Sequence, residues 1–328
     1  MAIHEIRTAR ELLSLRSDWL ALWKRSSTAT PFQSPDWVIP WWEHFGTGRL
    51  CVLALMKAGE LLGLAPLFVN GEEQSSLRFV GTGNTDYLDV LLDDSASHDS
   101  VPALFNYICE TRSWLRADLE NLRADSPLLK TKSCREVREY IEEQDACPVL
   151  SLPACAEDFV ESLPQQLKHN VSYYRRKLAK LGDVTIEQAV TNNFTELFAA
   201  FVRLHEARWQ MNRMCGVLAE PDAQSFLREA SLDLLANGAL RLYALRVAGR
   251  VVASLYGFHH ARRTYYYLGG FDPEFSDCSP GTVLVAHAIL EAIGEGATEF
   301  DFLRGREDYK YRWGAVDHTI YRKQLTWM

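Results

Sequence analysis

Apolar and polar positions change their spacing several times between residues 264 and 313. Residues 265–268 are a run of aromatic and aliphatic side chains typical of a strand, and residues 269–270 are both glycine. After a polar loop, residues 280–293 carry apolar side chains at helical spacing. Residues 299–303 have the composition of a further strand. The pattern therefore predicts a strand, a loop, a helix and a strand in this order.

A helix that starts beside the end of a strand offers a place for an anion. The predicted helix opens with Pro280, Gly281 and Thr282, and its first N–H groups have no partner within the helix. Those groups and the positive end of the helix dipole favour phosphate. The same residues are also compatible with an ordinary crossover, in which the proline only occupies its favoured first-turn position.

The two halves of the chain carry similar patterns. Three pairs of segments match in the same order: residues 53–68 with 243–258, 79–81 with 267–269, and 119–123 with 300–304. The offset from Ala54 to Ala244 is 190 residues, which is too long for a solenoid repeat. We therefore expect a duplicated α/β (α+β) fold with two pseudo-equivalent domains, residues 1–150 and 151–328. Each should have a mixed central sheet flanked by helices, with the boundary between Pro148 and Pro164.

Composition and charge narrow the class of protein. The 328 residues are 47% hydrophobic and 24% charged, as in a globular protein with a sizeable core. The net charge of −8 argues against a surface that binds nucleic acid throughout. Neither a signal peptide nor an apolar membrane span is evident, so we expect a cytoplasmic location. The seven cysteines are scattered, and their spacing predicts neither a disulfide framework nor a metal site.

A basic segment opens the second half. It contains Lys168, Arg175, Arg176 and Lys180, with two tyrosines between them. The segment is either a solvated helix face or a surface that meets phosphates or an acidic acceptor.

The order of predicted elements resembles the GNAT acyltransferase fold, which here occurs twice. The second copy resembles the CelD-type acetyltransferases of bacterial cellulose synthesis. The segments that carry this resemblance are SYYRRKLAKLG at 172–182, RLHEARW at 203–209, LGGFD at 268–272, SPG at 279–281 and DFLRGREDYKYRWG at 301–314. The segment FQSPDWVIPWWEHFG at 32–46 is similar to the family's N-terminal signature. A more distant likeness is to the Fem peptidyltransferases, which also have two GNAT-like domains.

The resemblance implies acyl transfer from a coenzyme A thioester, acetyl-CoA, to an amine or hydroxyl. In GNAT enzymes the thioester arm lies along the fourth strand and the pyrophosphate at the start of the next helix. The implied cofactor-binding residues are Leu268, Gly269, Gly270, Ser279, Gly281, Thr282 and Val283. The first copy has no SPG before its helix, and Asp94 and Asp99 precede that helix instead. Since carboxylates repel pyrophosphate, we expect the first copy to lack a thioester site.

Acyl transfer also requires a base for the attacking group. We expect Glu307 to be this base, with Asp301 as the second choice and Lys310 as a partner of the base or of the acceptor. His205 is a further catalytic candidate. The alternatives are a satisfied helix histidine for His205 and a structural ion-pair network for the other three residues with Arg304.

The acceptor should lie in the cleft between the two copies, where second substrates commonly bind. The substrate-binding residues we expect are Asp86, Tyr87, Asp89, Arg208, Trp209 and Tyr267. Asp86 and Asp89 could instead only satisfy the N–H groups of a turn.

The leading hypothesis is an acetyl-CoA-dependent N- or O-acyltransferase acting on a sugar, a polysaccharide precursor or another polar metabolite. The competing hypothesis is a Fem-like transferase that takes its acyl group from charged tRNA, which the basic segment would contact. A non-catalytic binding module is a third possibility, because fold does not fix function. The acidic net charge favours the first hypothesis and a small-molecule or saccharide acceptor over a nucleic acid.

Overall fold

The chain forms two compact units. The first comprises residues 1–146 and 318–328, and the second comprises residues 147–317. The computed structural model describes residues 1–71, 75–96, 99–110, 114–132, 136–211 and 213–328. The division lies between Ala146 and Cys147, just before the stretch from Pro148 to Pro164 in which we expected it. Residues 318–328, which we expected in the second domain, belong with the first unit.

The first unit mixes short helices with strands. In chain order its elements are β1 (Ala2–Ile6), α1 (Ala9–Ser14), α2 (Arg16–Arg25), a 3₁₀ turn (Pro31–Gln33), α3 (Pro35–Phe45), β2 (Arg49–Leu50), β3 (Val52–Lys57), β4 (Glu60–Ala65), β5 (Leu67–Asn70), β6 (Ser76–Phe79), β7 (Leu91–Leu92), α4 (Ser100–Glu110), β8 (Arg116–Arg123), α5 (Pro127–Lys130) and the first part of β9 (Val137–Ser151). The predicted helix at 101–114 is observed as α4, and residues 111–113 lie outside the described part of the chain.

The second unit follows the order expected from the sequence. Its elements are the end of β9, α6 (Ala156–Ser162), α7 (Gln165–Ala179), β10 (Val184–Gln188), α8 (Phe194–Met211), α9 (Pro221–Ala236), β11 (Leu240–Val247), β12 (Arg250–His260), β13 (Arg263–Phe271), a 3₁₀ turn (Pro273–Cys278), α10 (Pro280–Gly294), β14 (Glu299–Asp301) and α11 (Asp308–Tyr311). The last strand, β15 (Val316–Trp327), begins here and contributes most of its residues to the first unit.

Sheet pairing in the first unit is interrupted at a proline. Strands β1, β3, β4 and β7 form one sheet, whereas β5 pairs with β2 and β6. Pro66 separates β4 from β5, because a residue without an N–H group cannot donate to a ladder. β6 pairs in parallel with β8, and β15 pairs antiparallel with β8. α4 and the apolar side of these strands share one core, which includes Leu104, Phe105 and Trp114.

Sheet pairing in the second unit runs in the order β10, β11, β12, β13, β14 and the end of β9. β10 to β13 are antiparallel, and β14 is parallel to β13. The turn between β11 and β12 has positive φ at Ala248 (48°) and Gly249 (80°), as a two-residue hairpin requires. α10 packs its buried side chains, among them Leu284 and Ile289, against this sheet. The expected mixed α/β fold is confirmed.

Candidate functional site

The sheet of the second unit opens between β13 and β14. These two strands pair only over Arg263–Glu299, Thr264–Phe300 and Tyr265–Asp301. β13 continues to Phe271. Phe302, the residue after β14, instead follows β9, because its N–H donates to the Pro148 carbonyl of that strand over 2.9 Å. The later backbone groups of β13 therefore have a free edge, which a ligand can pair with.

A cavity of about 230 Å³ lies at this opening. Its walls come from β12, β13, α10, α7, α8 and the segment around α11. The lining residues are Leu167, Asn170, Tyr174, Arg208, Ser254, Leu255, Tyr266, Gly270, Phe271, Ser279, Gly281, Thr282, Leu284, Val285, Tyr309, Arg312 and Trp313. Four of the seven residues expected to bind cofactor are among them: Gly270, Ser279, Gly281 and Thr282.

The start of α10 forms one wall of the cavity. Ser279 is its N-cap, with φ 41° and ψ 55°, and no side chain caps the helix. A non-glycine residue in the left-handed region is strained, and such strain concentrates at functional positions. A Cβ atom built on Gly281 would meet no atom within 4 Å. Pro280 has no N–H group, and the Thr282 N–H donates to the Ser279 carbonyl over 3.0 Å, so the Gly281 N–H is the remaining donor of these three residues. The first turn of α10 thus combines free space with this donor and the positive end of the helix dipole, which favour an anion.

The charge of the cavity is positive. Arg208 and Arg312 line it, and its described lining residues include no aspartate or glutamate. Arg208 Nη1 donates to the Gly269 carbonyl over 3.2 Å, which holds the guanidinium against β13. Because the described wall carries positive charge and no carboxylate that would repel an anion, the site suits an anionic ligand.

Two tyrosines line the cavity. The rings of Tyr266 and Tyr309 lie 6.4 Å apart at 59°. Burial raises the pKa of both phenols, and the charge of Glu307 raises them further. Both hydroxyls are therefore protonated at neutral pH and can donate a hydrogen bond.

α7 closes the cavity on another side with side chains one turn apart. Leu167, Asn170 and Tyr174 line it, as expected for one face of a helix. Lys177 Nζ donates to the Asp277 carbonyl over 2.8 Å, which fixes α7 beside the turn that precedes α10. Arg175 and several other basic residues of the segment are exposed: Arg176, Lys180 and His169.

Lys310 is an internal anchor. Its side chain is 4% exposed, and Nζ donates to the carbonyls of Leu303, Arg304 and Gly305 at 2.9 to 3.1 Å. The same atom lies 2.9 Å from Glu307 Oε2. These contacts stabilise the turn after β14, where Leu303 (φ 55°) and Gly305 (φ 109°) have left-handed backbones.

The other catalytic candidates lie around the cavity and do not line it. Glu307 is half exposed, and Asp301 is buried with Oδ1 accepting from the Leu303 N–H over 2.8 Å. His205 is buried, and its Nε2 accepts from Trp209 Nε1 over 3.0 Å. Burial and then the charge of Arg208 lower the pKa of His205 to about 4, so it is neutral at pH 7.

The remaining expected residues are distributed over both units. Trp209 and Tyr267 do not line the cavity; the Tyr267 ring packs on Tyr256 and Phe258, the side of β13 opposite to Tyr266. Leu268, Gly269 and Val283 do not line the cavity; Gly269 and Val283 each adjoin a lining residue along the chain, and Val283 is buried in the core.

The first unit has a cavity of its own, of about 510 Å³. Tyr87 and Asp89 line it with Arg123, whereas Asp86 is buried and does not line it. Burial raises the pKa of Asp89 to about 7, although the hydrogen bonds from Ser126 and the Val90 N–H lower it in part. Three more carboxylates line this cavity, so its character is acidic: Asp93, Asp94 and Asp125.

Several lining residues were not predicted from the sequence. Tyr309 and Arg312 lie in the DFLRGREDYKYRWG segment, which marked the region but not these side chains. Asn170 and Tyr174 lie in or beside the basic segment, where helical spacing from Leu167 was the only available signal. In the described part of the chain, no group of three or more His, Cys, Asp and Glu side chains could hold a metal ion. No described helix has the length and apolar character to cross a membrane.

One family model matches part of the second unit. Residues 165–311 match the model described as acetyltransferase (GNAT) domain, from the first residue of α7 to the last of α11. Over these residues the second unit is therefore similar to GNAT acetyltransferase domains. No curated protein matches the sequence.

Solved structures share the fold over nearly the whole chain. FemX is 12% identical with a TM-score of 0.67, covering 98% of this chain and 97% of its own. A domain named for a lysylphosphatidylglycerol synthetase from Agrobacterium fabrum is 10% identical with a TM-score of 0.59, covering 97% and 92%. L-PGS from Bacillus licheniformis is 10% identical with a TM-score of 0.55, covering 87% and 86%. At these identities the likeness concerns the fold alone, which is GNAT-like and similar to that of FemX.

Proposed function

We propose that the chain transfers an acyl group from a coenzyme A thioester to an amine or hydroxyl of a polar acceptor. One observation carries this proposal: the opening between β13 and β14 leads into a cavity that ends at the uncapped start of α10. A free strand edge suits the amide groups of the pantetheine arm. A helix start with no capping side chain suits pyrophosphate.

The residues present fit coenzyme A. Gly281 leaves open space where a phosphate would approach the backbone, and Arg312 and Arg208 supply positive charge without an opposing carboxylate in the described wall. The cofactor supplies the activated acyl group. Backbone N–H groups near Gly269 and Gly270 would orient its carbonyl and stabilise negative charge on the oxygen.

The proton chemistry is assigned to the segment after β14. Glu307 remains our first choice for the base, because it is partly exposed and its charge acts on Tyr266 and Tyr309 in the cavity. Tyr309 Oη holds a proton that it can give to the departing sulfur. Asp301 is the weaker choice, since its Oδ1 already accepts from Leu303 and its side chain is buried. Lys310 would keep Glu307 in place through their 2.9 Å contact.

The acceptor is proposed to be a sugar, a polysaccharide precursor or another polar metabolite, as in CelD-type enzymes. Arg208 lines the cavity of the second unit and would contact an acceptor that binds there. The acidic cavity of the first unit is a separate one, in which Asp89 and Tyr87 offer groups for a hydroxyl or an ammonium.

One observation favours a second candidate, transfer of an aminoacyl group from charged tRNA. Arg175 and Arg176 are exposed on α7, the helix that also lines the cavity, and Lys180 is exposed directly after its last residue. A basic helix face beside the site could contact the phosphates of an RNA. The fold shared with FemX is compatible with either donor.

Isothermal titration with acetyl-CoA separates these possibilities. We expect saturable binding with one site per chain, and release of free coenzyme A when amino sugars or other polar acceptors are added. A binding module would bind without release. Absence of acetyl-CoA binding, together with binding of aminoacyl-tRNA that falls steeply with salt, would support the second candidate and contradict the first.

A further inference from the structure

A second polar surface lies in the first unit, on one face of β6, β8 and β15. The register places Ser76 opposite Arg116, and Gln324 opposite Asp118, so these side chains share that face. A cavity of about 220 Å³ lies there. Its lining residues are Arg78, Arg116, Ala117, Asp118, Arg322, Gln324, Leu325 and Thr326.

The charges in this cavity do not balance. Asp118 is the single carboxylate among the described lining residues, against three guanidinium groups. Arg322 holds it in a bidentate pair at 2.6 and 2.7 Å, and Arg78 Nη2 lies 3.5 Å away. Burial alone would raise the pKa of Asp118, but the bonds from Arg322 and the charge of Arg78 hold it below its ordinary value. The carboxylate is therefore already engaged by Arg322 and Arg78, and Arg322 also lies 3.7 Å from Glu142.

Donors that lack an acceptor lie beside this pair. Arg78 Nε is buried and has no hydrogen-bond partner in the described part of the chain, and the same holds for Ser76 Oγ on the same strand. Arg116 is exposed and forms no ion pair with a described residue. Because a buried donor without an acceptor costs free energy, these groups indicate that an acceptor binds between them.

We propose that this face binds an oxyanion group, a phosphate or a carboxylate, between Arg78 and Arg116. A planar guanidinium matches both groups through paired N–H donors. The site is independent of the acyl-transfer site, since its residues belong to the first unit and none lines the cavity at α10.

The test is isothermal titration with sodium phosphate and, separately, sodium acetate, at ionic strength held constant with sodium chloride. The protein is the Gly281→Asp variant, because inorganic phosphate also suits the start of α10. We expect saturable binding of at least one of the two anions. Arg78→Gln or Arg116→Gln should weaken it about tenfold or more, as removal of a charge-assisted hydrogen bond does. Arg10→Gln, an exposed arginine on α1, removes the same charge and should leave the affinity unchanged.

The two anions distinguish the group that is recognised. Binding of phosphate alone assigns a phosphate, binding of acetate alone assigns a carboxylate, and binding of both assigns a general oxyanion site. If neither anion binds above chloride, or if Arg10→Gln weakens binding as much as Arg116→Gln, the proposal is overturned. Melting temperatures of all variants establish that each is folded.

Discussion

Tyr265 of β13 pairs with Asp301 of β14, and this is the last pair that the two parallel strands form. Beyond it the strands separate, and the cavity lies where β14 would otherwise have continued. The free edge of β13 and the turn held by Lys310 follow this pair along the chain, and the start of α10 lines the cavity.

Lys310 should contribute more to stability than an ordinary lysine. Lys310→Met would leave three carbonyls and Glu307 without their donor, so the free energy of unfolding should fall by about 2 kcal/mol or more. Lys177→Met is the control, because Lys177 is more exposed and makes one bond, to the Asp277 carbonyl. Denaturant unfolding measures both variants. Equal losses for the two would show that Lys310 is not an anchor.

Glu307→Gln should lower turnover with acetyl-CoA by about 100- to 10,000-fold, as removal of a general base does. The amide can still accept from Lys310 Nζ, so the melting temperature should change little. Asp301→Asn is the comparison for the second-choice base. A folded Glu307→Gln enzyme with near-normal turnover across pH would remove Glu307 from the mechanism.

Two glycines that line the cavity should respond oppositely to alanine. A Cβ on Gly270 would lie 2.3 Å from backbone atoms of Leu204 and His205, which cannot move aside as a side chain can. Gly270→Ala should therefore destabilise the chain by about 1 to 3 kcal/mol. A Cβ on Gly281 meets nothing, so Gly281→Ala should be neutral or stabilising by up to about 1 kcal/mol. Thermal unfolding of both variants checks this, and a destabilising effect of similar size in both would contradict it.

Asp89 should make stability depend on pH. Its folded pKa of about 7 lies above its ordinary value of 3.8, so the folded chain holds more protons and loses stability as the pH rises between these values. Asp89→Asn should thus stabilise the chain by about 1 to 3 kcal/mol at pH 8 and have little effect below pH 4. Asp125→Asn controls for removal of a charge in the same cavity. An Asp89→Asn effect that is the same at pH 4 and pH 8 would refute the raised pKa.

The sequence predicted the elements of the second unit well because local spacing determines them. It marked 279–281 as a helix start and 264–313 as the central stretch, and these lie at the cavity. It could not predict that Tyr266 would line the cavity while Tyr267 packs on Phe258. Successive side chains of a strand point to opposite faces of the sheet, but the sequence does not say which face meets the site. The pairing of β15 with β8 joins residues about 200 apart, and no local signal encodes it. The role of Lys310 as an anchor depends on the left-handed turn at Leu303 and Gly305, which also could not be read in advance.

Affinity for acetyl-CoA in a matched pair of variants tests the central claim most directly. Gly281→Asp places a carboxylate at the start of α10, where a Cβ meets no atom within 4 Å, so the fold should be kept and the anion repelled. Gly294→Asp makes the same change at the other end of the helix, also in open space. We predict that Gly281→Asp weakens acetyl-CoA binding about tenfold or more, whereas Gly294→Asp binds like the unmodified chain. Unchanged affinity in a folded Gly281→Asp variant would contradict the assignment of the thioester site to this cavity.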